Sequence, residues 1–80
     1  SAQSNISVYP NPTHSRLFVD NAGNEEMKVL LRDLSGKLLD SATQLSGAKT
    51  GFDVSKYSPG IYLLTIEKNS ATQTMNIVIE

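Results

Sequence analysis

The 80-residue chain holds 39% hydrophobic and 19% charged residues, seven cations against eight carboxylates for a net charge of −1, and no cysteine. This length supports one small core, burying ~60–65% of the unfolded surface, and the lack of cysteine excludes a disulfide framework, a thiolate metal site and a thiol nucleophile. The cations are scattered from Arg16 to Lys68, whereas nucleic-acid binding needs them clustered, and no apolar run approaches the roughly 20 residues of a spanning helix.

Ser1 to Asn5 is small and polar, without an initiator Met, a basic region or an apolar stretch. It reads as a linker carrying a piece of a longer protein into a fold that starts at residue 6. Ile6-Ser7-Val8-Tyr9 alternates, and Pro10 stops it by removing a backbone donor. Pro10-Asn11-Pro12 forces a rigid corner, because a residue before proline is pushed out of the α region. Leu17-Phe18-Val19 forms the next strand, with Leu17 and Val19 on one face, and Asp20-Asn21-Ala22-Gly23-Asn24 ends it.

Glu25 to Leu34 is locally two-valued. Met27, Leu30, Leu31 and Leu34 fit i, i+3, i+4, i+7, with Asn24 as N-cap and Gly36 beyond the last turn, as in a helix. Met27, Val29 and Leu31 also alternate, and Ser35-Gly36 suits a two-residue hairpin loop into Lys37-Leu38-Leu39. The strand-turn-strand surroundings select the strand. Leu38 to Leu45 is diluted by polar residues, as an edge strand would be, and a short strand at Thr50 to Val54 buries Phe52 and Val54.

Ser55 to Gly60 is a tight connection in which Pro59-Gly60 matches the centre of a type II turn. Ile61 to Ile66 is apolar on both faces, the mark of a central strand, with Tyr62, Leu64 and Ile66 on one side. Asn69-Ser70 turns the chain into Thr72 to Ile79, where Met75, Ile77 and Ile79 share a face. About seven strands with turns at this spacing predict an all-β fold, a single antiparallel β-sandwich, immunoglobulin-like in outline.

The residues offer little chemistry. His14, the one histidine, sits in a polar turn without a paired carboxylate, and no Gly-x-Ser-x-Gly elbow or phosphate loop is present. Glu25-Glu26 reads as a solvated pair. Asp33 and Asp53 each precede a turn; a calcium site would gather such oxygens, but no ligand loop with alternating Asp accompanies them, and capping of their own turns is the simpler role. Tyr9, Tyr57, Tyr62, Phe18 and Phe52 admit a sugar-stacking platform, with Phe18 the most exposed, against the simpler alternative of core packing. No catalytic group, metal or cofactor is expected.

Three turn-rich segments recur in fixed order: Tyr9-Pro10-Asn11-Pro12-Thr13 with Leu17-Phe18-Val19, then Val29 to Leu39 around Asp33-Leu34-Ser35-Gly36-Lys37, then Phe52-Asp53-Val54-Ser55 with Ser58-Pro59-Gly60-Ile61-Tyr62-Leu63-Leu64. In that order and spacing the chain resembles the C-terminal sorting domains of proteins exported by the type IX (Por) secretion system of Bacteroidetes, over residues 6–79. The resemblance implies a seven-stranded sandwich fused behind a passenger protein and acting as an address: a periplasmic passage, recognition by an outer-membrane translocon with its shuttle and sortase proteins, and delivery to the outer membrane, cell surface or medium. In many such cargoes a sortase removes the domain and joins the passenger to an anionic lipopolysaccharide, which would place cleavage at or upstream of Ser1 to Asn5. Family members often end in a short basic tail, whereas this sequence ends Asn76-Ile77-Val78-Ile79-Glu80.

Strand docking is the expected recognition mode, since an edge strand presents unpaired N–H and C=O groups and alternating side chains. Thr72 to Ile79 is the candidate edge, with Gly60, Tyr62, Thr72, Met75, Ile77, Val78 and Ile79 as recognition residues and Pro10, Asn11, Pro12, Asp33, Gly36, Asp53 and Pro59 as structural turn residues. An ordinary closing core strand is the alternative for this segment. The same edge admits a strand-mediated homodimer. A fibronectin-like or carbohydrate-binding accessory module of a secreted enzyme would share the fold and is the competing function.

Overall fold

The structure, a computed structural model, describes residues 6–10, 12–21, 25–44, 49–68 and 71–80. The expected linker 1–5, the corner residue Asn11 and the Asn69-Ser70 turn lie outside the described residues. Seven strands follow one another along the chain: β1 (Ile6–Tyr9), β2 (Arg16–Asn21), β3 (Met27–Arg32), β4 (Leu38–Gln44), β5 (Lys49–Asp53), β6 (Gly60–Lys68) and β7 (Ala71–Ile79). They form a three-stranded sheet in the order β1-β2-β5 and a four-stranded sheet in the order β4-β3-β6-β7. Every ladder is antiparallel.

The sheets pack face to face because each strand turns one alternating set of apolar side chains inward. Leu17 and Val19 come from β2, Met27, Val29 and Leu31 from β3, Phe52 from β5, Leu64 and Ile66 from β6, Ile77 and Ile79 from β7, and Val54 from the residue after β5. Ile6, Val8, Ala42, Tyr57, Tyr62 and Met75 close the rim of this core. The segment with two local periodicities is strand β3, which pairs with both β4 and β6. Its backbone groups are satisfied on both sides by neighbouring strands, so long-range pairing decides what local periodicity leaves open.

Three local expectations are corrected. β2 runs through Asn21, which is buried and whose Nδ2 donates to the Glu25 carbonyl at 2.8 Å; the chain leaves the sheet after Asn21 rather than from Asp20. The β3–β4 loop is wider than Ser35-Gly36, because β3 ends at Arg32 and the Asp33 N–H donates to the Lys37 carbonyl at 3.1 Å, leaving Leu34 exposed in the turn. The reversal before β6 lies at Val54 to Tyr57, where the Tyr57 N–H donates to the Val54 carbonyl at 3.1 Å, and not at Pro59-Gly60. Gly60 instead opens β6 at φ 154°, a backbone setting that an L side chain rarely adopts.

Leu64 sits fully buried on β6, between β3 and β7. Leu64→Ala is expected to cost ~2–5 kcal/mol, a large part of the ~5–15 kcal/mol that holds a small domain folded. Ser7→Ala, on the exposed face of β1, is expected to stay within ~0.5 kcal/mol. Urea unfolding of the two variants beside the parent measures both.

Candidate functional site

The three turn-rich segments, some twenty residues apart in sequence, meet at one end of the sandwich. The ladders fix this end in the three-stranded sheet by Tyr9 opposite Phe18 and Arg16 opposite Asp53, and in the four-stranded sheet by Arg32 opposite Leu38 and Leu63 and by Gly60 opposite Ile79. Hydrogen bonds sew the two halves together there. The Thr13 N–H donates to the Val78 carbonyl at 2.9 Å and the Glu80 N–H donates to the Thr13 carbonyl at 2.7 Å, a parallel bridge between the first segment and β7. The buried Thr13 hydroxyl donates to the Arg16 carbonyl at 2.6 Å, and the Val54 N–H donates to the Ser15 carbonyl at 2.9 Å. The Tyr57 hydroxyl reaches the Leu39 carbonyl at 3.3 Å, and the Tyr62 hydroxyl donates to the Ser58 carbonyl. The opposite end holds Ile6 opposite Asn21, where the chain enters the fold, and Lys68 opposite Ala71.

Each Asp at the sewn end builds its own turn. Asp33 Oδ1 accepts from the Ser35 N–H at 2.9 Å, the Ser35 hydroxyl at 2.6 Å and the Lys37 N–H at 3.0 Å. Asp53 Oδ1 accepts from the Ser55 N–H at 3.1 Å and the Ser55 hydroxyl at 2.6 Å. The donated Ser35 hydroxyl, with the Lys37 amide, holds the Asp33 carboxyl below its ordinary 3.8, and the Ser55 hydroxyl and amide do the same for Asp53. Gly36, at φ 92°, supplies the left-handed step that lets the Asp33 turn close. Pro10 and Pro12 are exposed, and Pro59 is exposed beside Gly60. His14 is exposed, and among the described residues no three His, Cys, Asp or Glu side chains gather as a metal would require.

The residues expected to serve recognition divide. Ile77 and Ile79 face the core, and Met75 and Tyr62 are half-buried against it, so these side chains hold β7 and β6 in place. Thr72, Val78 and Gly60 are exposed. β7 is the outermost strand of its sheet. Since the Val78 carbonyl and Glu80 N–H point away from β6 toward Thr13, the two-residue alternation turns the backbone groups of Thr72 and Thr74 the same way. The edge is thus occupied at its C-terminal end and open at Thr72 to Thr74, where no further strand lies among the described residues. The Thr13 bridge escaped sequence reasoning because an isolated parallel contact has no periodic signal.

A cation leans over the aromatic pair on the outer face of the three-stranded sheet. Tyr9 and Phe18 stand 5.8 Å apart at 33°, and Lys49 Nζ lies 5.5 and 5.2 Å from their centroids. A hydrogen bond to Tyr9 raises the Lys49 pKa above its ordinary 10.5. Phe18, expected to be the most exposed ring, is half-buried, leaning over Gly51 so closely that a Cβ there would lie 3.1 Å from its Cε1. Conversely, the large apolar side chains that stay exposed among the described residues, Tyr9, Leu34, Leu38, Ile61 and Val78, all belong to the sewn end.

Comparison with known protein families matches residues 7–80 to the family described as the secretion system C-terminal sorting domain. The chain belongs to that family. The family is that of type IX secretion C-terminal sorting signals, and this chain's seven strands form a sandwich of two antiparallel sheets. No curated protein matches the chain. A type IX sorting signal implies a fused passenger, contact with the secretion machinery and export to the cell surface or extracellular space. In this sorting domain the motifs are the stitches of one end, and Ile6 lies at the other.

Because the folded values of Asp33 and Asp53 are depressed, the stability they lend is complete above 3.8 and is lost as pH falls through the lower folded values. The melting temperature of the sorting domain is expected to fall more steeply below pH 3.8 than that of the Asp33→Asn, Asp53→Asn double variant, with the two curves parallel at neutral pH. Thermal unfolding from pH 7 to pH 2 tests this.

Proposed function

We propose that residues 6–80 are a non-catalytic address that docks on the type IX outer-membrane translocon through the open edge of β7, with residues 1–5 the linker from an upstream passenger. The domain crosses the periplasm folded, and the shuttle and sortase proteins act on it at the outer membrane. The sortase then severs the linker and attaches the passenger to the cell surface. The family match over residues 7–80 carries this reading. The β7 edge supports the mode of docking, since outward backbone groups at Thr72 and Thr74 offer a strand partner both donors and acceptors. Residues 1–5 carry none of the three motif segments and no residue of β7, so cutting there leaves the docking elements in the chain. Carbohydrate binding is disfavoured by the Lys49 ammonium over both rings of the Tyr9–Phe18 pair.

Deleting β7 would remove Ile77 and Ile79 from the core and unfold the domain, so the edge is tested by a lighter change. Thr74→Pro deletes one outward N–H, and proline is tolerated on an edge strand whose N–H faces solvent. Residues 1–80 fused behind a periplasmic reporter are expected to bring it to the surface of a host with this secretion system. The Thr74→Pro fusion is expected to melt cooperatively and yet leave the reporter in the periplasm. Retention of the parent fusion would refute the sorting function, and normal export of Thr74→Pro would refute docking at this edge. Native mass measurement on the parent domain reports whether the edge pairs with a second copy instead.

A further inference from the structure

The sewn end carries more than turns. On the outward face of the four-stranded sheet, Ile61 of β6 stands opposite Val78 of β7, and Leu38 of β4 stands opposite Arg32 of β3. Leu34 follows Arg32 by two residues, and Ile61 precedes Leu63, the partner of Arg32, by two. These four side chains make an apolar row along the motif-bearing end of the sheet: Ile61 beside Val78, Leu38 beside Arg32 one step deeper, and Leu34 in the turn beyond Arg32. Their exposures are 48% for Ile61, 37% for Val78, 49% for Leu38 and 66% for Leu34. Deeper on the same face Leu30 is 5% exposed, so the sheet does cover apolar side chains where it has neighbours to do so. Exposed Lys37 precedes Leu38 at one end of the row, and exposed Glu80 follows Val78 by two residues at the other.

Resting on the sorting function proposed above, we infer that this row is a second docking element, seated in an aliphatic groove of the same export-machinery component that adds a strand to β7, with a carboxylate facing Lys37 and a cation facing Glu80. The two ends of the row differ in sign, so a protein groove matches it better than an anionic lipid surface, which offers one sign only. The row is also too small to hold a dimer alone, since a stable interface buries ~800 Å² per partner. Two copies joined edge to edge through Thr72 to Thr74 would form one continuous sheet with their rows at opposite ends, so neither row would cover the other. Two copies stacked row on row would leave both β7 edges open. A different protein can engage edge and row together.

The tests use the full reporter fusion. Leu34→Ser changes the most exposed member, which lies in a turn, and Ile61→Thr with Val78→Thr removes apolar surface while keeping β-branched residues in the strands. All are expected to melt near the parent and to lower surface delivery of the reporter at least roughly tenfold, the change expected when a buried anchor is lost from an interface. Thr43→Ala, on the same face toward the other end, is expected to export as the parent does. If Leu34→Ser and the double variant export normally while the parent depends on the domain, the row is refuted and the sorting function stands; if the parent is not exported, both fall. A parent domain that is dimeric at micromolar concentration and monomeric as Leu34→Ser, or one that floats with phosphatidylglycerol vesicles only when Leu34 is present, would give the row to a second copy or to lipid and overturn the inference.

Discussion

The Thr13 bridge to β7 is the constraint on which the rest depends. A two-sheet sandwich of this size has few ways to fix its sheets against each other, because apolar packing is non-directional and tolerates sliding. Two backbone hydrogen bonds of 2.9 and 2.7 Å between the loop after β1 and the end of β7 remove that freedom at one end. They bury Thr13 and set Arg16 against its hydroxyl. They also close the C-terminal part of the β7 edge, so that what stays open is short and polar, the form in which a sheet edge resists indiscriminate pairing.

Around this clamp, different parts of the domain do different work. The interior is almost wholly aliphatic, drawn from alternate positions of five strands and one loop residue, and gives cohesion without chemistry. The turn segments are braced at the surface by hydrogen bonds that Asp33 and Asp53 accept and that the tyrosine hydroxyls donate. Braced loops at one end let exposed leucine, isoleucine and valine keep a fixed spacing, which a docking surface requires and a flexible loop cannot supply.

The fold was largely legible in the sequence, and the site only in part. Alternation placed Leu17 with Val19, Phe52 with Val54 and Met75 with Ile77, and the doubly apolar Ile61 to Ile66 was recognisable as central, because burial of one face of a strand writes itself into every second residue. β3 was harder: Met27, Leu30, Leu31 and Leu34 satisfy helical spacing, yet Leu30 is buried on the outer face and Leu34 lies in a turn. What no local pattern carries is that residues 9–16, 33–39, 53–62 and 78–80 meet. That meeting is a product of strand order, and strand order is written in pairings between residues far apart in the chain.

The placement of β1 has a mechanical meaning. Its four residues run from the end where the chain enters toward the sewn end, antiparallel to β2. A passenger dragged from Ile6 while the sewn end is held would load the β1–β2 hydrogen bonds across their length, in shear, since these bonds lie perpendicular to the strands. All rungs must then yield together, whereas a sideways pull would open them singly. A short strand thereby serves as a tether whose strength depends on the direction of the load.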